Sequence, residues 1–81
     1  MNGPTLQVRV VVAKNDERVD GPDDADVVVT VPLTEATSTD FDPTVAYVQG
    51  RLKSTGSTGA LFDLLRDGSV AAAVSRLASP S

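Results

Sequence analysis

Two glycines, Gly50 and Gly56, bracket a short segment that contains Lys53 and several hydroxyl side chains, and such a segment could cradle a phosphate. In a P-loop, the lysine directly follows the second glycine and precedes a Ser or Thr. Here Lys53 precedes Gly56, and Ser57 comes next, so the order does not fit. The amides of residues 57–59 could still hold an anion at a helix start, but capping of that helix by Ser57 accounts for the same residues.

A Ser–Lys pair is the remaining arrangement for nucleophilic catalysis, because the chain has no His and no Cys. Their absence excludes a Ser-His-Asp triad, a thiol nucleophile and an ordinary zinc site. Lys53 could act with Ser54 or Ser57, but adjacent residues of a strand point to opposite faces. Nothing nearby in the sequence predicts the apolar surroundings that a nucleophilic or basic lysine of this kind needs. We therefore predict no catalytic residue, no metal and no cofactor, and we interpret the protein as not an enzyme.

Carboxylates are the other reactive groups. Asp40 and Asp42 could do acid–base chemistry, but both precede a predicted helix, where Asp is favoured as a cap and by the helix dipole. The connection from Lys14 to Asp26 carries six acidic residues. A calcium loop would need a Gly among its ligands and a closing Glu, and this order lacks both. We predict that the connection is a solvated loop.

Length and charge limit the possible classes of function. The 81 residues make one domain, 1–81, in which we expect residues 1–5 and 79–81 to be frayed. The net charge of −4, with scattered basic residues, argues against binding to nucleic acid or to anionic membranes. No apolar run approaches the roughly 20 residues of a membrane span, and the first residues do not form a signal peptide. The lack of Cys fits a reducing compartment, so we expect a cytoplasmic protein.

Three segments have the alternation or composition of strands. Leu6–Ala13 alternates, and we expect Leu6, Val8, Val10 and Val12 to face the core. Asp26–Leu33 is nearly continuous in valine, which predicts a central strand that is buried on both faces. Arg51–Thr55 is predicted to be a short edge strand, which its charges protect from further pairing.

Helices are predicted between and after these strands. Thr34–Phe41 makes at most one turn, capped by Thr34, whereas Asp42, Pro43 and Gly50 mark the start and stop of a clear helix. We expect Val45, Val48 and Tyr47 to face inward from that helix. Ser57 should cap the next helix, and Ser69 the last. Their predicted apolar faces comprise Leu61, Phe62, Leu64 and Leu65 in the former, and Val70, Val74 and Leu77 in the latter.

The ordered set of these residues resembles a known family. The chain supplies "ADVVVTVPL", then Asp42, Pro43, Ala46, Tyr47, Gly50, Arg51, Leu52, Lys53 and Gly56, then "ALFDLL". This order is similar to the C-terminal half of the sterol carrier protein type 2 family, and the similarity spans Ala25 to Leu65. Pro43 and the two glycines have fold-making roles in such a pattern.

The resemblance implies an α/β (α+β) fold, with a small mixed or antiparallel sheet and helices packed on one face. It also implies non-catalytic binding of a lipid, a sterol or an acyl chain in an apolar pocket. The residues that would contribute to the pocket by this resemblance are Val45, Tyr47, Val48, Leu61, Phe62 and Leu65.

The chain departs from the family before its central strand. Family members have an N-terminal helix and a meander of strands before that strand. In this chain only "LQVRVVVA" precedes it. This segment either replaces a missing strand of the family or pairs across an interface. A shortened domain leaves sheet edges and a helix face uncovered, so we expect a homo-oligomer or a partner protein. An alternative function is that of a protein-interaction or regulatory subunit that keeps the scaffold without the cavity. The expected interface residues are Val11, Ala13, Val70, Val74 and Leu77.

Overall fold

The computed structural model describes residues 4–38 and 40–78. Within them, the chain forms four strands and four helices. In chain order these are β1 (Leu6–Ala13), β2 (Asp16–Asp20), β3 (Val27–Pro32), α1 (Leu33–Ala36), α2 (Pro43–Val48), β4 (Lys53–Gly56), α3 (Thr58–Arg66) and α4 (Ser69–Ala78).

The strands form one mixed sheet in the order β2-β1-β3-β4. β1 runs parallel to β3, while β2 is antiparallel to β1 and β4 is antiparallel to β3. The predicted fold class, a small mixed sheet with helices, is therefore confirmed. The predicted edge position of the "RLKST" strand also agrees with the sheet order, in which β4 is outermost.

β2 was not predicted from the sequence. Residues 16–20 pair with β1 across a tight turn at Lys14 and Asn15, so the solvated-loop interpretation is wrong for this part of the acidic connection. The acidic side chains of β2 are nevertheless exposed or only half-buried. The backbone of β1 supplies the hydrogen-bond partners that make this polar segment a strand.

The core lies between one face of the sheet and the helices. It is built on five valines that are fully buried on that face: Val8, Val10, Val27, Val29 and Val31. The opposite face of β3 carries Val28 and Thr30, and both are only half-buried. The prediction that β3 is buried on both faces is therefore wrong, because the helices cover one face only.

Local capping follows the sequence closely in α2 and α3. Asp42 accepts hydrogen bonds from the backbone N–H groups of Thr44 and Val45 at 2.9 and 3.3 Å. Ser57 Oγ accepts from the N–H of Ala60 at 3.4 Å. Gly50 follows α2 with φ 78°, a left-handed conformation that glycine adopts without strain.

Gly56 ends β4 with φ 102°, and a Cβ at this position would overlap the carbonyl oxygen of Asp26 in the neighbouring segment. The two glycines therefore have the structural role that the resemblance implied, since they redirect the chain at the end of α2 and of β4.

The other helix starts and the N-terminal end differ from expectation. α1 begins after Pro32, and no side chain of the described residues caps it, so the predicted Thr34 cap is wrong. At the start of α4, Asp67 Oδ1 accepts from the Ser69 N–H at 2.8 Å, so Asp67 takes the capping role expected of Ser69.

Thr5, which was expected to fray, is held by Asp26. Its N–H donates to Asp26 Oδ2 at 3.1 Å, and its Oγ1 accepts from the Asp26 N–H at 2.9 Å. Residues 1–3 and 79–81, also expected to be frayed, lie outside the described residues.

Candidate apolar binding site

The space between the sheet and the helical layer is filled by side chains. Leu61 of α3 and Leu52, which precedes β4, are each 2% exposed. Val70 and Val74 of α4 complete this core against the sheet. Two apolar clefts lie between neighbouring helices and open to solvent.

The larger apolar cleft lies between α1, the segment after it, and α4. It has a volume of about 460 Å³, and its lining is mostly apolar but includes three residues with hydroxyl side chains. One of them, the Thr37 hydroxyl, donates to the Leu33 carbonyl at 2.9 Å. We call this cleft the α1–α4 cleft. Its lining residues are Ala36, Thr37, Ser38, Phe41, Ala71, Val74, Ser75 and Ala78.

A second apolar cleft of about 310 Å³ lies between α2 and α3, and we call it the α2–α3 cleft. Thr44 of α2 faces Phe62, Leu65 and Arg66 of α3 across it. Tyr47 supports Phe62 from α2, with the two rings edge to face and their centroids 5.7 Å apart.

Two further clefts are more polar. Phe41, Val45 and Ala46 line one of about 240 Å³, which contains the Arg51–Glu35 ion pair at 3.3 Å. The other, about 470 Å³, lies at the β1–β2 hairpin and includes Val11, Ala13 and Val19.

The predicted pocket residues do not meet in one cavity. Phe62 and Leu65 line the α2–α3 cleft, and Tyr47 stands behind Phe62, whereas Leu61 is part of the filled core. Val48 is 76% exposed and Val45 is 47% exposed. The prediction that Val45 and Val48 face inward is wrong, because α2 packs through Pro43 and Ala46 instead.

The predicted interface residues are also divided between surface and core. Val11 and Ala13 line the hairpin cleft, and Leu77 is half-buried beside the core. Val70 and Val74 are 0% and 1% exposed. The folded chain therefore does not offer Val70 and Val74 to an interface, because α4 turns them against the sheet.

Sequence reasoning missed Phe41 as a lining residue. Phe41 directly precedes the Asp42 cap, and Ala46 is the fourth helical residue of α2, which is the spacing of a hydrophobic staple. The two residues do line the same cleft. The staple pattern was therefore the signal that could have placed Phe41 against the helical layer.

The electrostatics around the clefts do not resemble those of an acid–base site. Among the described residues, Asp67 has a lowered pKa, because the Ser69 hydroxyl and the Ser69 N–H donate hydrogen bonds to its carboxylate. That position is a helix start, where such bonds are ordinary. Within residues 4–38 and 40–78, no group of three or more His, Cys, Asp or Glu side chains is placed to hold a metal ion. None of the described helices has the length and hydropathy of a membrane-crossing segment.

Known proteins resemble the chain through the fold. No known family matches the sequence, and no curated protein matches it. Among solved structures, the chain is similar to the solution structure of the sterol carrier protein domain 2 of Helicoverpa armigera, with a TM-score of 0.50 and 22% sequence identity. The similarity covers 85% of this chain and 69% of that one. At this identity the likeness shows a sterol-carrier-like fold.

Proposed function

We propose that the protein is a non-catalytic module that binds an apolar chain, such as a lipid, a sterol or an acyl group. The supporting observation is the combination of a sterol-carrier-like fold with apolar clefts that open to solvent between its helices. We also propose that it acts in the cytoplasm and that it associates with itself or with a partner protein.

The α1–α4 cleft is the proposed site. Its volume of about 460 Å³ lies within the range of small-molecule pockets, and Phe41 and Ala71 give it an accessible apolar surface. The α2–α3 cleft, which contains the predicted residues Phe62 and Leu65, is the alternative location and is smaller.

The first test asks whether the protein carries an apolar ligand at all. Native mass spectrometry of freshly isolated protein should show a bound lipid, and delipidated protein should take up a fluorescent fatty-acid analogue. Protein that carries no lipid and does not bind the analogue would contradict the proposal.

A pair of variants on α4 then locates the site. Ala71 and Ala72 are adjacent and both exposed, but only Ala71 lines the α1–α4 cleft. Ala71→Phe should fill the cleft and weaken binding of the analogue by about tenfold, which corresponds to roughly 1.4 kcal/mol. Ala72→Phe is the matched control and should bind like the wild type. If both variants bind the analogue equally well, the α2–α3 cleft would be the binding site instead.

The filled interior favours one alternative function. Because the core side chains of the described residues are nearly fully buried and the two apolar clefts open to solvent, the chain could serve as a scaffold that binds another protein without a ligand. Tight association with a partner together with an absence of lipid would support this alternative.

A further inference from the structure

The outer edge of β2 is unpaired within the described part of the chain, since β2 is the first strand in the sheet order. Backbone polar groups of an antiparallel strand point alternately towards one neighbour and the other. The pair Ala13–Asp16 closes the two-residue turn and bonds inward, so Glu17 and Val19 direct their N–H and C=O groups outward. Val19 is also a large apolar residue that is 45% exposed. Such an edge can accept another strand.

The opposite edge of the sheet is less suited to pairing. β4 has only four residues, and its end at Gly56 leaves the strand direction at φ 102°. In the register that sets Lys53 opposite its own copy, two copies paired through β4 would bring together the positive charges of Lys53 and Arg51. Like charges that face each other across strands are destabilising.

β2 can face a second β2 in antiparallel registers, each of which has a two-fold axis centred on one residue. An axis at Glu17 sets Arg18 opposite Asp16 of the partner subunit but brings the two Glu17 carboxylates together. An axis at Asp20 brings the two Asp20 carboxylates together. An axis at Arg18 opposes two guanidinium groups and also sets Asp16 against Asp20 of the partner subunit. An axis at Val19 pairs the two valines and sets each Arg18 opposite Asp20 of the partner subunit. Charge complementarity therefore selects the register centred on Val19.

The side chains on the helix-facing side of β2 are compatible with this register. Asp20 uses its Oδ2 to bind Arg76 of α4 at 2.6 Å, which leaves its other oxygen for a second guanidinium. Arg18 donates through one nitrogen to the Leu77 carbonyl at 2.7 Å and has further N–H groups available. These two bonds also hold the end of α4, with half-buried Leu77, close to the strand edge.

We propose that two copies of this chain pair through their β2 strands, antiparallel, with Val19 on the two-fold axis and Arg18 facing the partner's Asp20. The two sheets then form one continuous eight-stranded sheet, and the ends of the two α4 helices lie near the axis. A five-residue strand and one helix end bury less than the roughly 800 Å² per partner of a standard stable interface. The dimer therefore forms and dissociates with concentration. The inference rests on the proposed self-association and is independent of lipid binding.

The register is tested by cross-linking, which the absence of Cys makes selective. The paired residues of a hydrogen-bonded antiparallel site have Cα atoms about 5.5 Å apart, a distance that a disulfide spans. Val19→Cys should therefore give a disulfide-linked dimer under mild oxidation. Glu17→Cys is the matched control: it lies on the same face of the same strand, but the two introduced thiols are four residues apart along the strands, about 13 Å. Equal cross-linking of both variants, or none with Val19→Cys, would overturn the register.

The charge pattern is tested by complementation, with circular dichroism to show that each variant is folded. Arg18→Asp alone opposes carboxylates across the axis, and Asp20→Arg alone opposes guanidinium groups. Sedimentation velocity should find each variant monomeric, a mixture of the two dimeric, and the wild type dimeric with rising concentration. A wild type that stays monomeric to near-millimolar concentration overturns the inference. If that monomer still binds the fatty-acid analogue, the proposed lipid-binding function stands without the dimer.

Discussion

The helices α2 and α4 have similar apolar content but opposite relations to the core. α4 turns Val70 and Val74 against the sheet, where they are 0% and 1% exposed. α2 turns its two valines towards solvent and packs through Pro43 and Ala46. Both start after an aspartate that binds backbone N–H groups of the first turn, so their local signals are alike.

The difference shows that position over the sheet decides which apolar side chains are buried. α4 lies against β1 and β2, and its Val70, Ala73 and Val74 are part of the buried core. α2, which follows α1 and precedes β4 along the chain, packs through the small residue Ala46, and its larger valines point away from the core. A valine in α2 therefore contributes to the surface of the protein, whereas a valine in α4 contributes to its stability.

The largest effect is expected when the same charge is placed on each of the two helices. Val74→Lys buries an ammonium without a partner, at a cost of several kcal/mol, which is comparable with the whole stability of a small domain. Val48→Lys, at an exposed site, should change the free energy of unfolding by no more than about 0.5 kcal/mol. Urea denaturation followed by circular dichroism measures both. Similar losses for the two variants would contradict the assigned positions of the helices.

A second test concerns the small residues through which both helices approach the core. Ala46 of α2 and Ala73 of α4 are both nearly fully buried. Enlarging either one to leucine should overpack the core and cost about 1–3 kcal/mol. We expect the larger loss for Ala73→Leu, because α4 is held over the sheet and α2 can move outward. Ala72→Leu, on the exposed side of α4, is the control, and a loss there of the same size would refute the explanation.

A smaller effect is expected at the cap of α2. Asp42→Ala removes the acceptor of two backbone N–H groups and should cost about 1 kcal/mol in unfolding free energy. Asp40→Ala removes a carboxylate two residues earlier that does not cap the helix. This variant should leave the free energy of unfolding nearly unchanged. If the two variants are equally stable in thermal unfolding, Asp42 does not act as a cap in solution.

The smallest expected effect is the dependence of stability on pH that comes from Asp67, the aspartate before α4. Hydrogen bonds from the Ser69 hydroxyl and N–H lower the pKa of Asp67 below its ordinary value of 3.8 in the folded state. This carboxylate therefore contributes stability above pH 3.8, and the contribution is lost as the pH falls through the folded-state pKa. An NMR titration should find the lowered pKa, and Ser69→Ala should bring it back towards the ordinary value.

Asp67→Asn separates this titration from the hydrogen bond, since an amide oxygen can still accept from the Ser69 N–H but does not ionise in this range. As the pH falls below 3.8, the ordinary pKa of the aspartate, the free energy of unfolding of the wild type should decrease relative to that of Asp67→Asn. A constant difference between the two proteins across that range would show that Asp67 has the same pKa in the folded and unfolded states.

The residues predicted for the pocket do not line the proposed α1–α4 cleft, and their binding role stays a prediction. The resemblance to sterol carriers brought Phe62, Leu65 and Tyr47 together, and all three are at or behind the α2–α3 cleft. Phe41 and the α1–α4 cleft were missed, because a cleft between elements far apart in the chain depends on how α4 crosses the sheet. Val45 and Val48 were misplaced for the same reason, since the spacing of valines in a two-turn helix does not say which side meets the core.

Features that depend on residues a few positions apart could be predicted without the fold. They include the Asp42 and Ser57 caps, the turn at Gly50, and the valine strands β1 and β3. Dihedral preferences and short-range hydrogen bonds act within one or two turns of chain, so the amino-acid order is enough to specify them.

Long-range pairing decided the rest. Asp16–Asp20 is a strand because the backbone of β1 is beside it, although its composition is that of a solvated loop. The open face of β3, the burial of Val70 and Val74, and the exposure of Val48 likewise follow from all helices packing on one side of the sheet. These outcomes depend on which segments meet across the fold, and that is a property of the whole chain and not of any window along it.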